Sequence, residues 1–351
     1  MQSLKRERQH PMKKENKMIT RKLDRVLASA LLLALAVSGL LTGCGASKPA
    51  PATVTVQFNW LHTVEWAGFY AAQEQGYYTA ENLKVTLATG EEDPFDKVAS
   101  GQVDFGTSTG TGLVIARSKG QSLTAVAAIL RKSPLVVMAL ADSGITTPKD
   151  LVGKTVGVVS PNLDTGWDVQ FLAMLEQAGV DPKQIKFVTI EEFGVKPLLE
   201  KKMDAISDIW STNDAVAAQL AGHKVNLIFV TDYGVLEYPD PIFTSEKMMR
   251  ERPDVIERFV RATLKGYQYA IEHPEQAAQF ALKYDNTLDP KLQLASMQAY
   301  VPLIDTGDAP IGTMDASVWQ STHDILLQHK FISSSVDLKT LYTNQFVGKA
   351  K

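Results

Sequence analysis

The sequence predicts an α/β protein with two lobes, and three features of the pattern support this fold class. Short β-rich runs alternate with helical stretches from Thr53 onward, which is typical of strands joined by helices. The alternation starts again at Asp142, and a helical tail follows a short strand that begins at Ile242. We therefore predict lobe 1 over residues 54–141 plus 239–351 and lobe 2 over residues 142–238. Each lobe is expected to be a mostly parallel sheet flanked by helices, with the ligand cleft between the lobes at the carboxyl ends of the strands.

The first lobe opens with a β-α-β unit. Residues 54–58 alternate with period two and predict a strand, residues 66–75 predict a helix, and residues 83–87 predict a second strand parallel to the first. Further strands are predicted at 103–106, 123–129 and 134–140, with helices at 94–100 and 113–118. The run Pro134–Leu140 is almost wholly apolar, which indicates a strand that is buried on both faces.

The second lobe repeats this pattern, and the tail is helical. Strands are predicted at 155–159, 186–190, 205–209 and 226–230, and helices at 167–178, 195–201 and 213–222. After the strand at 242–244, helices are predicted at 253–273, 274–284, 291–300 and 318–328. We expect these last helices to pack on the first lobe.

Charge is distributed unevenly along the chain. Residues 1–43 carry nine Lys and Arg against three acids, whereas the whole chain has a net charge of −3, which leaves the rest at −9. A body this acidic is repelled by phosphate backbones, so nucleic-acid binding is not expected. The chain is 45% hydrophobic, which is enough for a sizeable core and excludes a disordered protein.

The first 44 residues have the pattern of a lipoprotein signal. A basic stretch ends at Arg25, an uncharged apolar run covers residues 26–41, and Leu41-Thr-Gly-Cys44 follows. The run is shorter than the ~20 residues of a membrane span, and small residues close it as in a secretory signal. The pattern resembles bacterial lipoprotein signals, in which the cysteine is diacylated and the chain is cut before it. The alternatives are a signal peptide with a chance cysteine and a short membrane anchor.

We therefore predict a signal peptide over residues 1–43 and a lipidated Cys44 within a flexible tether over residues 44–53. The mature protein is expected to be a monomer that is anchored by lipid to the extracytoplasmic face of the cell membrane.

The sequence contains no motif that calls for an enzyme. The six histidines form no HExxH and no metal-ligand pair at helical spacing, and no phosphate-binding loop or nucleophile elbow follows a strand. Cys44 is the one cysteine of the chain, so a disulfide within it and a Cys-rich metal site are excluded. We predict no catalytic residue, no cofactor and no metal.

Four of the five tryptophans fall near the ends of predicted strands, namely Trp60, Trp66, Trp167 and Trp210. Indoles in strand-end loops of two lobes favour a cleft that stacks on flat rings. The alternative for any one of them is packing in the core. The neighbouring side chains are amides, hydroxyls and acids, without Arg or Lys, which favours a neutral or weakly basic ligand over an anionic one.

Several motifs in these loops resemble one known family. They include Asn59-Trp60, Ala67-Gly-Phe-Tyr70, Gln75-Gly-Tyr-Tyr78 and Gly101-Gln-Val-Asp-Phe-Gly106, and the matches extend over residues 54–300. The sequence resembles the thiamine-pyrimidine-precursor-binding-like family of solute-binding lipoproteins of ABC importers, and its character is nearest to riboflavin-binding members. The resemblance implies a two-lobed periplasmic-binding fold of a type II-like kind, a small-molecule ligand, and a permease with its ATPase as partners.

Two departures from the family pattern guide the choice of ligand. His62-Thr63 and Trp66 stand where pyrimidine binders usually have Pro-Asn and a histidine, and the cysteine-rich motif of the related pyrimidine-forming enzymes is missing. Because an indole is wider than an imidazole, riboflavin is the leading ligand. A thiamine pyrimidine precursor of the formylaminopyrimidine or hydroxymethylpyrimidine type is second, a sulfonate or nitrate is third, and a pyrimidine-forming enzyme is the rival from another class.

The candidate ligand-binding residues share a place at or near the strand ends. They are Asn59, Trp60, Trp66, Tyr70, Thr109, Asn162, Thr165, Trp167, Asp208, Trp210 and Asn213.

Overall fold

The computed structural model describes residues 50–90 and 93–348. Their strands are β1 (Ala52–Gln57), β2 (Leu83–Ala88), β3 (Phe105–Thr107), β4 (Leu123–Ala128), β5 (Leu135–Leu140), β6 (Thr155–Val158), β7 (Lys186–Thr189), β8 (Ala205–Trp210), β9 (Val225–Phe229) and β10 (Pro241–Ser245). These strands form two five-stranded sheets, in the orders β2-β1-β3-β10-β4 and β7-β6-β8-β5-β9.

Helices flank both sheets. They are α1 (Ala67–Glu74), α2 (Tyr77–Ala80), α3 (Phe95–Ser100), α4 (Gly110–Ser118), α5 (Val169–Gln177), α6 (Lys196–Leu199), α7 (Asp214–Leu220), α8 (Glu246–Glu251), α9 (Pro253–Glu272), α10 (Pro274–Tyr284), α11 (Pro290–Ile304), α12 (Ala316–Gln328) and α13 (Leu338–Leu341). This α/β architecture of two sheets confirms the predicted fold class. Among the helices of residues 50–90 and 93–348, none combines the length and apolar content that a membrane span needs.

Both sheets have the same strand order, and four of the five strands in each run in one direction. In the first sheet β1 is parallel to β2 and β3, while β10 runs against β3 and β4. In the second sheet β6 is parallel to β7 and β8, while β5 runs against β8 and β9. The reversed strands are β10 in the first sheet and β5 in the second. Each of them directly follows a crossover of the chain from the other lobe. The carboxyl ends of the other strands therefore lie at one edge of each sheet.

The position of β5 corrects one of the expected domain boundaries. We expected residues 54–141 in lobe 1, but Leu135–Leu140 pairs with β8 and β9 of the second sheet. The apolar run does form a strand buried over most of its length. An apolar run has no feature that says which sheet it joins, so the sequence pattern could not place it. The chain crosses to lobe 2 between β4 and β5, and returns between β9 and β10.

Hydrophobic cores on both faces of each sheet hold the helices in place. In the first lobe, Val54, Val56 and Phe58 pack with Phe259 of α9 on one face, and Leu113 of α4 belongs to the core of the other face. The second sheet likewise has a separate core on each face. Helices α1 and α9 pass so closely that a Cβ at Gly266 would lie 2.0 Å from the carbonyl oxygen of Gly68. This contact holds the N-terminal end of α1 beside the strand ends.

Candidate functional site

A small cavity lies where the two lobes meet the second crossover. It is lined by Thr109, Ser133, Leu135, Gly166, Trp167, Gln170, Trp210, Glu237 and Pro239. Its volume is about 20 Å³, which is room for about one water molecule. Three of the predicted ligand-binding residues, Thr109, Trp167 and Trp210, come together here. The cavity therefore marks the cleft that the sequence predicts between the lobes.

Local structure explains how these three side chains reach the cavity. Thr109 precedes α4, and its hydroxyl accepts a hydrogen bond from the backbone N–H of Gly112 at 3.0 Å, which is an ordinary N-cap. Trp167 precedes α5 and is 42% exposed, so much of its indole is free for a ligand. Trp210 ends β8 and contacts Tyr300 of α11 edge-on, with ring centroids 6.5 Å apart. Both indoles belong to lobe 2.

The structure assigns Trp66 to the core of lobe 1 instead of the cleft. Its ring is fully buried and stacks on Phe58 with the centroids 4.5 Å apart and the planes 8° from parallel. Its indole N–H donates to the carbonyl of Leu61 at 3.1 Å. A side chain with this packing has no ring face left for a ligand, contrary to our expectation. Sequence position alone could not separate it from Trp60, which is 46% exposed.

Tyr70 is also a core residue. It is fully buried and stacks on Tyr284 at 4.2 Å, and its hydroxyl is 2.9 Å from Nδ1 of His62. Its place in the family motif therefore corresponds to packing in this structure.

The other predicted residues lie around the strand ends without lining the cavity. Asn59 accepts a hydrogen bond from the Thr107 hydroxyl at 3.3 Å, and Asn213 donates to the Tyr300 hydroxyl at 3.1 Å. The Thr165 hydroxyl donates to the carboxylate of Asp168 at 2.5 Å. Asn162 is exposed in the same loop. Cys44 lies outside the described residues.

Asp208 has two unusual properties. It has a backbone φ of +57°, which side chains other than glycine rarely adopt, and one buried carboxylate oxygen without a hydrogen-bond partner among the described residues. Burial and the neighbouring Asp168 raise the pKa of the Asp208 carboxyl well above its ordinary value. Burial and the nearby Asp168 therefore both disfavour the charged form of the Asp208 carboxyl.

A second group of buried acids includes one residue that lines the cavity. Glu237 lines the cavity, and Asp240 and Glu65 are close behind it. Burial raises the pKa of Glu237 to about 7 and that of Glu65 to about 8, and it raises the pKa of Asp240 strongly, with the charges of Glu65 and Glu237 adding to the shift. No N–H or hydroxyl group of the other described residues donates to the fully buried Asp240, and the neighbouring Glu65 carboxyl is its hydrogen-bond partner. Burial therefore favours the protonated forms of Glu65 and Asp240 at neutral pH, whereas Glu237, with a pKa of about 7, is divided between its two forms.

Sequence reasoning missed Gln170 and Glu237. Gln170 is the second residue of α5 and is 2% exposed, and no local pattern distinguishes it from a helix residue of the core. Glu237 stands in the second crossover, just before Tyr238-Pro239, outside the strand ends on which our prediction relied. The residues lining the cavity include no Lys, Arg or His. Over residues 50–90 and 93–348, no three metal-ligating side chains are grouped so as to hold an ion.

Comparison with known proteins identifies the family. The family described as NMT1/THI5 like matches residues 63–277, which is more than half of the chain. The chain belongs to the NMT1/THI5-like family. The resemblance that the motifs near Asn59 and Gly76 suggested is thereby confirmed.

Relatives within this family match nearly the whole length of the chain. A formylaminopyrimidine-binding protein of Halalkalibacterium halodurans is 28% identical over 318 residues, covering 88% of this chain and 95% of that protein. The riboflavin-binding protein RibY of Chloroflexus aurantiacus is 26% identical over 353 residues, covering 92% and 97%. A 4-amino-5-hydroxymethyl-2-methylpyrimidine phosphate synthase of Legionella pneumophila is 26% identical over 300 residues, covering 84% and 92%.

Among solved structures, the fold is similar to that of the periplasmic aliphatic sulphonate binding protein SsuA of Escherichia coli. The TM-score is 0.65 at 17% sequence identity, over 83% of this chain and 91% of that one. The two-lobed fold of binding proteins is thus shared with SsuA, while the residues differ at most positions.

Proposed function

We propose that this chain is the solute-binding component of an ABC importer and that it captures a planar nitrogen heterocycle of the pyrimidine or flavin type. The observation that carries the proposal is the pair of indoles, Trp167 and Trp210, beside a cavity between two lobes. Flat rings stack favourably on indole faces, and two lobes that close on a ligand suit capture and release. The two binding proteins that match almost end to end support the same class.

Two heterocycles are the candidates, and each has one observation in its favour. Riboflavin suits the several indoles near the strand ends, although the burial of Trp66 removes one of the four on which that preference rested. A formylaminopyrimidine or hydroxymethylpyrimidine suits the buried acids Glu237 and Asp240, because a weakly basic ring with N–H groups is complementary to carboxyl groups. Riboflavin and the pyrimidine are therefore equally well supported as the ligand.

A sulfonate or a nitrate is a weaker candidate. Anions in protein sites are usually held by Arg, Lys or backbone N–H groups at helix starts, and the lining of this cavity includes no basic side chain. The phosphorylated flavin is disfavoured for the same reason.

A pyrimidine-forming enzyme is the competing function, because the synthase of Legionella pneumophila is 26% identical to this chain. Two features support a binding role instead. The cysteine-rich motif of those enzymes has no counterpart in a chain whose single cysteine is Cys44, and the cavity lining holds no lysine or histidine. Incubation with candidate precursors and a search for turnover tests this, and any sustained product formation would favour the enzyme.

Titration with four ligands tests the proposed function. Riboflavin, flavin mononucleotide, 4-amino-5-hydroxymethyl-2-methylpyrimidine and an alkanesulfonate are added to the purified body, followed by flavin fluorescence, tryptophan fluorescence and calorimetry. We expect saturable one-to-one binding of riboflavin or of the pyrimidine, and no binding of the other two. Tighter binding of the sulfonate than of either heterocycle would overturn the ligand class.

Anchoring through Cys44 is the second part of the proposal, and a permease with its ATPase is the expected partner. The segment 45–51 contains Pro, Gly, Ser and Ala, as expected for a tether, whereas Ala52 already begins β1 and packs against the core. We predict that Cys44→Ser releases a folded body into the aqueous fraction and abolishes incorporation of labelled fatty acid. Continued membrane association of this variant would mean that the apolar run at 26–41 is the anchor.

A further inference from the structure

Helix α12 connects the two lobes in addition to the two crossovers of the chain. Its residues Trp319 and Leu326 are buried in the core that also contains Leu113 of α4, in lobe 1. Ile325 of the same helix packs against this core and also against the core of lobe 2 that contains Phe171. A single helix of 13 residues therefore contacts both lobes.

The same helix is bonded to the second crossover. The backbone N–H of Leu236 donates to the Ser321 hydroxyl oxygen at 3.4 Å, and the Thr322 hydroxyl donates to the Leu236 carbonyl at 3.1 Å. The crossovers are the covalent connections between the lobes, so the lobes can change their angle only by bending them. Helix α12 therefore lies at the hinge.

Three polar side chains join the end of α12 to lobe 2. One carboxylate oxygen of Glu176, in the last turn of α5, accepts a hydrogen bond from the Gln328 amide at 2.6 Å, and the other lies 3.0 Å from Nε2 of His329. Both oxygens of a lobe 2 carboxylate thus contact lobe 1. We call Glu176, Gln328 and His329 the α12 latch. The Glu176 side chain is 49% exposed, so the latch can open without disturbing either core.

The latch is separate from the cavity between the lobes. Gln170 lines that cavity, and Glu176 lies six residues further along α5, which is a rise of about 9 Å. Glu176 and His329 border a different groove, with a volume of about 360 Å³. The latch and a ring in the cavity are therefore expected to influence each other through the angle between the lobes and not by contact.

The closed latch coincides with a form of the protein that has no room for a ring. The cavity in this form holds about 20 Å³, so the lobes must part before a heterocycle fits between them. Parting the lobes shifts α5 against α12, because each helix is packed into the core of its own lobe. A contact that is stronger in the closed ligand-free form than in the form that holds the ring lowers the apparent affinity for the ring.

We propose that the α12 latch is an autoinhibitory contact that holds the lobes together in the ligand-free protein and thereby weakens ligand binding. The effect on affinity rests on the proposed function, whereas the effect on lobe separation can be measured without a ligand. The proposal gives a regulatory role to a helix that lies outside residues 63–277, the region that matches the family.

A charge swap at the latch tests this proposal. Gln328→Glu places two carboxylates against each other and should open the latch, whereas Gln328→Glu combined with Glu176→Gln restores an amide–carboxylate pair with the roles exchanged. Glu176→Ala removes both bonds and is a second opening variant. Asp181→Asn is the matched control, because Asp181 lines the same groove but accepts its hydrogen bond from the backbone N–H of Lys183 in its own lobe.

Two readouts are taken on each protein. Spin labels at Lys84→Cys in lobe 1 and Lys224→Cys in lobe 2, both exposed, report lobe separation without ligand in a Cys44→Ser background. Calorimetry with riboflavin and with 4-amino-5-hydroxymethyl-2-methylpyrimidine reports affinity. We expect the two opening variants to show a longer mean label distance and an apparent Kd about two- to fivefold lower than the wild-type protein. The charge-swapped double variant should return both quantities towards wild type, and Asp181→Asn should change neither.

Each outcome supports or overturns the proposal. An unchanged or shorter label distance in the opening variants, with folding confirmed by thermal unfolding, overturns the latch whether or not a heterocycle binds. A longer distance with an unchanged or higher Kd overturns autoinhibition and leaves the proposed function standing. A double variant that resembles Gln328→Glu overturns the pairing of Glu176 with Gln328. If the wild-type protein binds neither heterocycle, the proposed function and the effect on affinity are overturned, and the label distance alone decides whether the latch holds the lobes.

Discussion

Trp66 and Trp167 show that one residue type has opposite roles at two strand ends. Trp66 is fully buried against Phe58, so Trp66→Ala leaves a large void and should lower the free energy of unfolding by about 3–5 kcal/mol. Trp167 is largely exposed beside the cavity, so Trp167→Ala should hardly change stability but weaken heterocycle binding about tenfold. Denaturant unfolding and ligand titration of both variants check this. A stable Trp66→Ala variant that has lost ligand binding would mean that Trp66 belongs to the binding site.

Glu65 makes stability depend on pH in a defined direction. Burial raises its pKa from 4.5 to about 8, so the folded protein retains a proton here that the unfolded chain has already lost. Where the folded state binds more protons, stability falls as the pH rises, and the change spans the interval between the two pKa values. Glu237 and Asp240 shift in the same direction.

We predict that the melting temperature of the wild-type protein falls between pH 5 and pH 8, and that Glu65→Gln makes this fall smaller. The amide cannot ionise, so the contribution of Glu65 disappears from the slope while its size is kept. Melting curves across this range in a buffer series measure both slopes. Parallel curves for the two proteins would mean that Glu65 is ionised in the folded state.

At the scale of elements, β8 contains a bulge that the sequence pattern does not reveal. Val136 and Met138 of β5 pair with Ile209 and Ile206, so β8 has one residue more than its partner over this stretch. Asp208 is part of the extra length and has the left-handed conformation. The bulge brings its carboxyl group beside that of Asp168.

We predict that Asp208→Asn raises the free energy of unfolding at pH 7 by about 1 kcal/mol, since asparagine tolerates the left-handed region and its amide can donate to Asp168. Asp168→Asn is the contrasting variant. It should lower stability, because Asp168 accepts hydrogen bonds from the backbone N–H of Val159 at 3.1 Å and from Thr165. Urea unfolding distinguishes the two. Destabilisation by Asp208→Asn would indicate that the Asp208 carboxylate is needed in its charged form.

Most elements could be predicted because their periodicity is local. The parallel pairing of β1 with β2 follows from a β-α-β unit that is visible in sequence, and the helices at 253–272 and 274–284 each begin at a proline. The assignment of β5 to a sheet could not be predicted, because it depends on contacts with β8 and β9, which lie 65 or more residues further along the chain. Strand order is a property of the tertiary structure.

At the scale of the whole molecule, the sequence located the cleft better than it located its lining. Strand-end positions predicted Thr109, Trp167 and Trp210, and these three residues line one cavity, because the carboxyl ends of parallel strands share an edge. Trp66 is buried in the core, whereas the buried Gln170 lines the cavity. The burial of each side chain is set by the packing of whole helices. A residue-by-residue pattern contains no information on which face of α5 turns to the other lobe.

Direct contacts between the lobes determine how a ligand enters. Asn213 of lobe 2 donates to the Tyr300 hydroxyl of lobe 1, and at another place Gln328 of α12 donates to Glu176 of α5 at 2.6 Å. The cavity between the lobes holds about 20 Å³, which is far smaller than a heterocycle. A ring can therefore enter only when the lobes part, and ligand binding must compete with an equilibrium between open and closed forms.

We predict that Tyr300→Phe shifts this equilibrium towards the open form. The variant keeps the ring but removes the acceptor for Asn213, a hydrogen bond worth about 0.5–1.5 kcal/mol. The closed ligand-free form, which has no room for a ring, is then less populated, so the apparent Kd should fall about two- to tenfold. Small-angle scattering should give a larger radius of gyration for the ligand-free variant than for the wild-type protein, and the same radius for both at saturation. Tyr269→Phe, on α9 of lobe 1, keeps the contacts between the lobes and should change neither quantity. An unchanged radius and affinity in Tyr300→Phe would mean that this contact does not hold the lobes together.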